Sequence, residues 1–463
     1  MTTPLWTGTE LLTATGGTFA GLTGDASDIR ATGITFDSRQ VQPGDIFLAL
    51  SGVRDGHDFV AQAFAQGAVC AITRKPVEGG PCLMVPDVLK ALEKLGAFAR
   101  DRAPALRGAV TGSVGKTSVT QMVMAALTRA GRAHSAVKSF NNHIGVPLTL
   151  ARMPADTERA VFEIGMNHAD EITPLSELVE PDAVIITTVG AVHTENFPDG
   201  EEGVMKAKAE IFDGLKYGGL AILNADNSWF AELKDRAVET GAKVQSFGEG
   251  EGADARLLSH EVVDGQAQVT ATLHGQDIAF RLAHTGRHQA LNALSVLLMT
   301  EALKVDTQTT LAALSDFAAL DGRGAEHRIA VEDGHVTVID ESYNANPISM
   351  VATLNGLAGR QVQPGGRRIA VMTDMLELGP DEAERHAVLA PAIVAAGVDQ
   401  VFVAGPLMKA LWDVLPDAQR GAYAATAAEL LEPLKSALRP NDIVMIKGSN
   451  GSKAGLIAKS LLG

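Results

Sequence analysis

The chain has 463 residues, of which 46% are hydrophobic and 20% are charged, and its formal net charge is −16. This length exceeds one ordinary domain, and the acidic balance, with no basic run, excludes a general nucleic-acid binder. Two cysteines, Cys70 and Cys82, are too few for a disulfide framework. The N-terminus lacks a basic segment followed by an apolar core, and no apolar run is long enough to span a bilayer. We therefore expect a soluble, cytoplasmic, monomeric protein without membrane insertion.

Short apolar strands alternate with helical segments along most of the chain, which predicts an α/β protein built around parallel sheets. The first hundred residues contain a pair of short strands in "GITFDSRQVQPGDIFLAL", followed by helical segments. The strands "RGAVT", "RAVFEIG", "DAVIITTV" and "LAILNAD" then alternate with helices. The pattern changes at "LDGRGAEHR", where the hairpin "RIAVEDGHVTVID" follows, and alternation then resumes. We predict three domains, at residues 1–105, 106–325 and 326–463.

The segment "AVTGSVGKTS" leads from a short strand into the helix "SVTQMVMAALTRAG" and is typical of a phosphate-binding loop. Its glycines let backbone N–H groups turn towards phosphate oxygens, and the helix N-terminus favours an anion. Lys116 is expected to reach the outer phosphates, and the Thr117 hydroxyl to bind Mg²⁺. The strict pattern would have glycine at Val110, and an ordinary glycine-rich turn is the alternative. The predicted nucleotide-binding residues are Gly112, Ser113, Val114, Gly115, Lys116, Thr117 and Ser118.

A magnesium ion bound to a nucleotide needs further oxygen ligands. Glu163 ends the strand "AVFEIG", where an acid can face the phosphate loop of a parallel sheet, although a surface carboxylate is the alternative. His193 follows the next strand, and its position alone favours an ordinary loop histidine because Mg²⁺ prefers oxygen ligands. From these residues alone, Glu163 is the stronger metal-ligand candidate.

The segment "VMKAKAEIFDGL" contains two lysines and is predicted to belong to a helix that runs from Asp199 to Gly218. Helical spacing places Lys208 within an apolar stripe and Lys206 on the opposite, solvated face. A buried lysine becomes neutral more readily, and its amine can take up CO₂ to form a carbamate, an oxygen ligand for Mg²⁺. The alternative is a lysine whose stem packs on the stripe while its ammonium reaches water. Spacing leaves both interpretations open.

In the order of its motifs the chain resembles the Mur ligase family, ATP-dependent enzymes that form amide bonds in peptidoglycan precursor synthesis. The motifs cover nearly the whole chain: "TGSVGKTS", "SFNNHIGVP", "FEIGMN", "HTENF", "KAKAEIF", "GRHQALNAL", "DGRG", "DESYNANPISM", "DMLELG" and "IVMIKGS". The resemblance implies a small α/β N-terminal domain for a UDP-linked substrate, a central P-loop ATPase-type domain with a parallel sheet, and a C-terminal Rossmann-like domain. Within the family, "NNHIGVP", "YNANPISM" and "DMLELG" favour substrates UDP-N-acetylmuramoyl-tripeptide and D-alanyl-D-alanine.

The resemblance also implies roles for individual residues. Two magnesium ions are expected with ATP, one on Thr117 and Glu163 and the other on His193 and a carbamate of Lys208. Asn142 is expected near the γ-phosphate and the acyl group, with Asn141 as a competing assignment. The remaining implied contacts are Asn292 with adenine, Arg323 and Asp340 with the nucleotide, and Ser38, Arg39, His57 and Asn344 with the substrate.

Several of these residues have ordinary structural interpretations as well. Asn344 and Asn346 are turn-forming residues before the helix near Pro347, and Asp340 is a candidate cap for that helix. Arg39 and His57 are also compatible with ordinary loop positions. For Lys447, a solvated loop lysine and an anion contact remain equally open.

The chain departs from the common family pattern at several positions. Gln289 stands where asparagine often follows the histidine, Thr373 stands before Asp374 where glycine is usual, and Asp170 replaces a glycine. The tail reads "KGSNGSK" instead of Lys-Gly-Ser-Arg, which weakens any statement about how the C-terminal domain holds a dipeptide. No departure falls on the expected metal or phosphate ligands.

The expected reaction is stepwise amide formation, in which a carboxylate first becomes an acyl phosphate and an amine then displaces phosphate. Another ligase on the same scaffold is the nearest rival, either the preceding peptide ligase or a folylpolyglutamate synthase. The latter is expected to lack the first hundred residues. A P-loop motor or switch ATPase is a rival of a different class, and the missing basic stripe argues against it.

Overall fold

The computed structural model describes residues 3–52, 54–137, 139–191, 194–263, 265–318 and 320–463. Within these ranges the chain forms sheets of five, nine and six strands, one after another, and a two-stranded ribbon. This arrangement confirms the predicted α/β class with parallel-rich sheets. The domain boundaries themselves stay predictions, and β17, the first strand of the six-stranded sheet, starts at Ala325, one residue before the predicted third domain.

The N-terminal part contains the five-stranded sheet, in the order β2-β7-β6-β5-β4, with β2 antiparallel to β7 and the other pairs parallel. Both cysteines are buried and free. The strands are β1 (Trp6–Thr7), β2 (Thr18–Ala20), β3 (Arg30–Ala31), β4 (Gly33–Thr35), β5 (Asp45–Leu48), β6 (Cys70–Thr73) and β7 (Cys82–Met84), and the helices are α1 (Gly8–Thr15), α2 (Val60–Ala65) and α3 (Val88–Arg102).

The central part contains the nine-stranded sheet, in the order β16-β15-β14-β13-β12-β11-β8-β10-β9. Its strands are β8 (Leu106–Thr111), β9 (Ala133–Ser135), β10 (Arg159–Glu163), β11 (Ala183–Ile186), β12 (Leu220–Asn224), β13 (Lys243–Gly248), β14 (Ala255–Val263), β15 (Gln266–Leu273) and β16 (Gln276–Leu282). Its helices are α4 (Lys116–Ala130), α5 (Gly145–Ala151), α6 (Ile172–Val179), α7 (Glu201–Ala209), α8 (Phe230–Glu239), α9 (Arg287–Ala302) and α10 (Thr307–Asp316).

Strands β8 to β14 all run parallel, with β8 between β11 and β10, and apolar residues cover both faces of these strands. The predicted strands before residue 225 are all present. Strands β15 and β16 are antiparallel additions that the strand–helix pattern did not predict. Along β15, buried and exposed residues alternate, so this strand covers the core with one face and meets water with the other.

The C-terminal part contains the six-stranded sheet, in the order β17-β18-β22-β19-β20-β21. The predicted hairpin is confirmed, because β17 and β18 pair antiparallel around a turn at Asp333, whose φ is 62°. The strands are β17 (Ala325–Val331), β18 (Gly334–Glu341), β19 (Arg368–Thr373), β20 (Gln400–Ala404), β21 (Arg420–Ala424) and β22 (Ile443–Lys447), and the helices are α11 (Pro347–Ala358), α12 (Glu382–Ala387), α13 (Ala390–Ala395), α14 (Met408–Val414), α15 (Ala427–Ala437) and α16 (Ala454–Leu462).

The helix predicted from Asp199 to Gly218 is shorter than expected, since α7 ends at Ala209 and a 3₁₀ turn follows. The physical reason lies in Glu210, whose carboxylate accepts hydrogen bonds from three backbone N–H groups at the start of α6. These bonds satisfy N–H groups that have no partner within α6. The chain therefore leaves the helical path where Glu210 is drawn towards its neighbour. No helix among the described residues is long and apolar enough to cross a membrane.

Candidate active site

A cavity of about 560 Å³ lies where the carboxyl ends of β8 and β10 face the C-terminal sheet. This edge of a parallel sheet is where α/β proteins usually bind ligands, because loops and helix N-termini converge there. Its central wall includes Lys116, Thr117, Ser139, Asn141, Asn142, Glu163, Gln289 and Asn292, and its opposite wall includes Arg323, Glu341, Tyr343, Asn344 and Lys447. The structure thus brings most of the predicted nucleotide and metal residues around one space.

The predicted phosphate loop connects β8 to α4, and its residues 113–118 line the cavity. Gly112 and Gly115 have φ angles of 147° and 91°, which favour glycine. A Cβ atom on Gly112 would lie 1.9 Å from Oγ1 of Thr187, and one on Gly115 would lie 3.1 Å from Oδ1 of Asn292. Side chains at these two glycines would therefore not fit, and the open loop that glycine allows fits a phosphate chain.

Lys116 is held against the loop that it is predicted to serve. Its Nζ donates to the carbonyl oxygen of Gly112 at 2.6 Å. Burial lowers the pKa of Lys116, an effect that nearby Glu163 opposes and Arg323 reinforces. A phosphate offers this ammonium a charged acceptor in place of a neutral carbonyl, so the lysine is poised to turn towards an anion.

The two adjacent asparagines have different partners. Asn141 donates from Nδ2 to Oε1 of the buried Glu163 at 2.7 Å. Asn142 caps α5 instead, because its Oδ1 accepts from the backbone N–H groups of Ile144 and Gly145. Both residues line the cavity. Glu163 stands at the end of β10, beside the phosphate loop as predicted, and is oriented by Asn141.

The structure separates the two lysines of α7 as the helical spacing predicted. Lys208 is 3% exposed, and burial together with the positive charge of Lys116 holds the pKa of Lys208 well below its ordinary value. The side chain of Lys206 is 59% exposed, with its Nζ 2.8 Å from Oε1 of Glu202. The ammonium of Lys208 does not reach the surface, which contradicts the snorkelling alternative. His193 lies outside the described residues.

The first two turns of α9 form one end of the cavity. Asn292 is buried beside Gly115 and donates from Nδ2 to Oε1 of Gln289 at 3.1 Å. His288 also lines the cavity, and burial lowers its pKa to about 4, reinforced by Lys447. Sequence reasoning missed His288, although it stands in the quoted motif "GRHQALNAL". Gln289 stands where asparagine is often found in the family. Its side chain is long enough to accept this hydrogen bond from Asn292 within the helix.

The segment between the central and C-terminal sheets places Arg323 at the cavity. Its guanidinium lies over the ring of Tyr343, 3.8 Å from the ring centroid. Asp340 does not line the cavity in the described structure; its carboxylate accepts from the backbone N–H groups of Gly322 and Ser342, each at 3.0 Å. Asp340 therefore holds the two neighbouring segments that present Arg323 and Tyr343.

Two charged side chains project from the ends of β18 and β22. Glu341 and Lys447 are neighbours across these parallel strands, with Oε2 and Nζ 3.8 Å apart. Lys447 is 3% exposed and donates to the carbonyl oxygen of Asn344 at 3.0 Å, which excludes the solvated-loop interpretation. Burial raises the pKa of Glu341, and Lys447 opposes this effect. Sequence reasoning missed Glu341, whose signal was an acid at the end of a strand beside the quoted Asp340.

Asn346 has the ordinary structural role that its sequence position allowed. Its side chain accepts from the backbone N–H of Ser349 at 2.9 Å and completes a capping box at the start of α11. Asn344 lies two residues earlier and lines the cavity. Of the two asparagines in "YNANP", Asn344 therefore belongs to the cavity wall and Asn346 caps the helix.

The three predicted substrate residues of the N-terminal part lie away from this cavity in the described structure. Ser38 donates to Gln62 at 3.2 Å, and Arg39 forms a bidentate pair with Asp37 while its side chain is 82% exposed. His57 is buried, with its Nδ1 2.6 Å from a carboxylate oxygen of Asp55.

Both ring nitrogens of His57 are occupied, because its Nε2 also accepts the backbone N–H of Arg74 at 2.9 Å. These bonds tie the loop that contains His57 to the end of β6. They agree with the alternative interpretation of the sequence, in which His57 is an ordinary structural residue of a loop.

A phosphate loop on the carboxyl edge of parallel strands in one sheet, faced by a second, mostly parallel sheet, defines a nucleotide-dependent enzyme of the P-loop class. Three family models match the chain: "Mur ligase family, catalytic domain" at residues 30–102, "Mur ligase middle domain" at 110–300, and "Mur ligase, glutamate ligase domain" at 327–450. The chain belongs to the Mur ligase family, whose members are ATP-dependent ligases that use Mg²⁺.

Individual relatives agree along almost the whole chain. A UDP-N-acetylmuramoyl-tripeptide–D-alanyl-D-alanine ligase of Rickettsia prowazekii is 32% identical and aligns over 92% of this chain and 94% of its own. The ligase of the same name from Escherichia coli is 33% identical, with 94% of each chain covered. The crystal structure of MurF from Acinetobacter baumannii superposes with a TM-score of 0.87 at 29% identity, covering 99% of this chain and 98% of that one.

Proposed function

We propose that the protein joins D-alanyl-D-alanine to UDP-N-acetylmuramoyl-tripeptide in the cytoplasm and converts ATP to ADP and phosphate. The observation that carries this proposal is the single cavity in which the phosphate loop faces the C-terminal sheet. It occurs in a chain that aligns over 92% and 94% of its length with two ligases of that name. The cavity provides room for a nucleotide on one wall and for an incoming amine on the other.

The described residues suggest how the nucleotide and one metal ion are held. We assign the phosphates to the loop and to Lys116, and one Mg²⁺ to Thr117 and Glu163. When bound, the metal supplies Lewis-acid stabilisation of the charge that develops on the phosphate oxygens. Glu163 needs no rearrangement for this role, because Asn141 already fixes its carboxylate. We retain Asn142, Asn292 and Arg323 as proposed contacts to the acyl group, adenine and nucleotide.

The reaction requires two anions to approach each other, the tripeptide carboxylate and the terminal phosphate. Lys116 offsets their repulsion once it leaves the carbonyl of Gly112. The carboxylate oxygen attacks the γ-phosphorus and displaces ADP, which gives an acyl phosphate. The dipeptide amine then attacks the acyl carbon, phosphate leaves, and the amine nitrogen loses a proton to form the amide. The wall formed by Glu341, Asn344 and Lys447 excludes water from this step and orients the amine partner.

We propose in addition that Lys208 is carbamylated and holds a second Mg²⁺ together with His193. Burial of the Lys208 side chain supports this assignment, since it favours the neutral amine that reacts with CO₂. Its proximity to Lys116, which contributes to lowering its pKa, places it near the phosphate loop. A carbamate on Lys208 would place an anion near the ammonium of Lys116, where a second cation on Lys208 is unfavourable.

The UDP part of the substrate is assigned to the N-terminal sheet. Ser38 and Arg39 follow β4 in a loop, and the guanidinium of Arg39 faces solvent apart from its pairing with Asp37. An exposed guanidinium is suited to bind a diphosphate bidentately. His57 supports the neighbouring loop and is assigned a positioning role there.

The test is a phosphate-release assay with Mg²⁺-ATP, UDP-N-acetylmuramoyl-tripeptide and D-alanyl-D-alanine, omitting each component in turn. We expect release only with all components present, and we expect the amide product in equal amount. Release that proceeds equally without the dipeptide contradicts the assignment. Turnover with UDP-N-acetylmuramoyl-dipeptide and a diamino acid in place of these substrates would identify the preceding ligase instead.

A further inference from the structure

Three hydroxyl groups link the phosphate loop to the C-terminal sheet. The hydroxyl of Thr117 lies 3.3 Å from that of Ser139. The phenol of Tyr343 donates to the same Ser139 oxygen at 3.4 Å. All three residues line the cavity. Tyr343 follows β18, whereas Thr117 and Ser139 belong to the central part of the chain, so Ser139 contacts both walls.

The chemistry of a hydroxyl fixes the direction of these bonds once a cation is present. Each hydroxyl has one hydrogen to donate and two lone pairs. A cation bound at Thr117 takes a lone pair of its oxygen, so its hydrogen points away and Ser139 is the acceptor within reach. Ser139 then accepts from both Thr117 and Tyr343, which occupies its two lone pairs.

The hydrogen of the Ser139 hydroxyl is then left without an acceptor. In the part of the chain that the structure describes, no protein group accepts a hydrogen bond from Ser139 other than its hydroxyl partner Thr117. The residue faces a cavity whose phosphate loop is built for anions. A phosphate oxygen is the acceptor that this arrangement lacks.

We infer that Ser139 donates a hydrogen bond to an outer phosphate oxygen of the bound nucleotide, in an orientation set by the metal at Thr117 and by Tyr343. Tyr343 is a positioning residue in this arrangement, and the guanidinium of Arg323 over its ring keeps it in place. The inference rests on the proposed assignment of Thr117 as a metal ligand. The direction in which the Ser139 hydroxyl donates then depends both on the metal at Thr117 and on the position of the C-terminal sheet, which carries Tyr343.

The experiment measures binding of the non-hydrolysable nucleotide AMPPNP by calorimetry, with Mg²⁺ and with EDTA. Ser139→Ala is expected to weaken binding with Mg²⁺ about tenfold, as loss of one hydrogen bond to a charged oxygen predicts. Ser139→Thr restores most of the affinity because it keeps the hydroxyl. With EDTA the difference between wild type and Ser139→Ala becomes smaller, because the direction of the Thr117 hydroxyl is no longer fixed. Equal affinities with Mg²⁺ overturn the inference.

Tyr343→Phe keeps the ring on Arg323 and removes only the phenol hydroxyl, so it also tests the inference if Ser139→Ala does not fold. It is expected to weaken Mg²⁺-AMPPNP binding less than Ser139→Ala, and the double variant is expected to match Ser139→Ala. Additive losses contradict an action through Ser139. Ser135→Ala is the matched control, because this hydroxyl, four residues earlier, has no hydrogen-bond partner among the described residues.

These binding measurements need no peptide substrate. A wild-type protein that binds Mg²⁺-AMPPNP but does not join the proposed substrates contradicts the proposed function alone. Wild type and Ser139→Ala with the same affinity contradict the inference alone.

Discussion

At the scale of single residues, burial separates side chains that the sequence presents as equivalent. Lys206 and Lys208 stand two positions apart on α7, but one pairs with Glu202 at the surface and the other is buried near Lys116. Asp170 shows a backbone effect at the same scale, because its φ of 64° is a conformation that glycine adopts more readily than residues with a side chain. The backbone N–H of Asp170 donates to Glu210 at 2.7 Å, which holds this unfavourable conformation in place.

Removal of the buried amine is expected to abolish the proposed reaction. Lys208→Ala should lower kcat at least about 100-fold, since a metal ligand or its supporting group is lost. Short-chain carboxylic acids added to the assay should restore part of the activity by occupying the space of the carbamate. Lys206→Ala is the matched control and should keep wild-type turnover. Near-normal kcat in Lys208→Ala would show that this lysine only packs.

A pH effect on stability follows from His284, which is buried and stacks on Phe317 with ring centroids 5.4 Å apart. Burial lowers the pKa of His284 from 6.5 to about 4, an effect that Glu326 opposes. Because the folded pKa is the lower one, the unfolded chain binds the proton more tightly. The stabilisation is therefore complete above pH 6.5 and is lost as the pH falls towards 4.

Between pH 7 and pH 5 this single group should lower the free energy of unfolding by about 2 kcal/mol. His284→Phe retains the stacking on Phe317 and removes the titrating group. Urea unfolding at the two pH values should show a smaller loss in the variant than in wild type. Parallel pH dependence in the two proteins would rule out His284 as the cause.

At the scale of elements, the strand–loop–helix unit of β8 and α4 depends on two glycines. Gly112→Ala brings a Cβ atom within 1.9 Å of Thr187 Oγ1 and forces a residue with a side chain to adopt a φ of 147°. We expect nucleotide binding to be lost, because the loop has to open to relieve this contact. Calorimetry with Mg²⁺-AMPPNP measures the effect.

Gly356→Ala is the matched control, since a Cβ atom at this position of α11 meets nothing within 4 Å. It should bind nucleotide normally and raise the free energy of unfolding by about 0.5–1 kcal/mol, because alanine favours a helix over glycine. Gly112→Ala that binds as tightly as Gly356→Ala would show that the loop tolerates a side chain.

At the scale of the whole molecule, the cavity exists only because the central and C-terminal sheets face each other. Arg360, just after α11, and Glu326 on β17 form an ion pair, with Nη1 and Oε2 3.0 Å apart. Thr285, just before α9, donates to Oε1 of Glu326 at 3.1 Å and also contacts Arg360. These contacts join the two parts of the chain beside the connecting segment.

Thr285→Val removes this hydroxyl with little change of shape, and Glu326 keeps its pairing with Arg360. We expect a loss of about 1 kcal/mol in the free energy of unfolding and a larger radius of gyration in solution scattering without ligand. Thr128→Val is the control, because among the described residues the Thr128 hydroxyl bonds only to the carbonyl of Met124 within α4. Scattering curves identical to wild type would mean that this hydroxyl does not hold the two parts together.

Sequence patterns predicted much of the fold, and the failures have physical causes. Strand–helix alternation predicted the parallel strands β8, β10, β11 and β12 of the central sheet, because each is a short apolar run bounded by turn residues. It did not predict β9, β13 and β14. It missed β15 and β16, which follow β14 without intervening helices. It also extended the helix of Lys208 beyond Ala209, since the pull of Glu210 towards α6 is a long-range contact that helical spacing does not register.

The candidate site was predicted best where its residues follow one another in the chain. The phosphate loop is contiguous, so its glycines and Lys116 are recognisable from sequence alone. Asn141 and Asn142 are adjacent and chemically identical, and only the structure shows that the first contacts Glu163 while the second caps α5. Residues from the C-terminal sheet, such as Glu341, were missed because their partners lie about a hundred positions away.

The sequence by itself determined the phosphate loop, the strand-end carboxylate and the amphipathic helix of Lys208, because each depends on residues close together in the chain. The family also follows from the order of contiguous motifs. Only the tertiary structure decided which groups from distant parts of the chain lie together: Lys208 near enough to Lys116 to feel its charge, Glu341 with Lys447, and Ser139 with Thr117 and Tyr343. Burial and hydrogen bonding depend on distance in space, and the packing of separate sheets sets that distance.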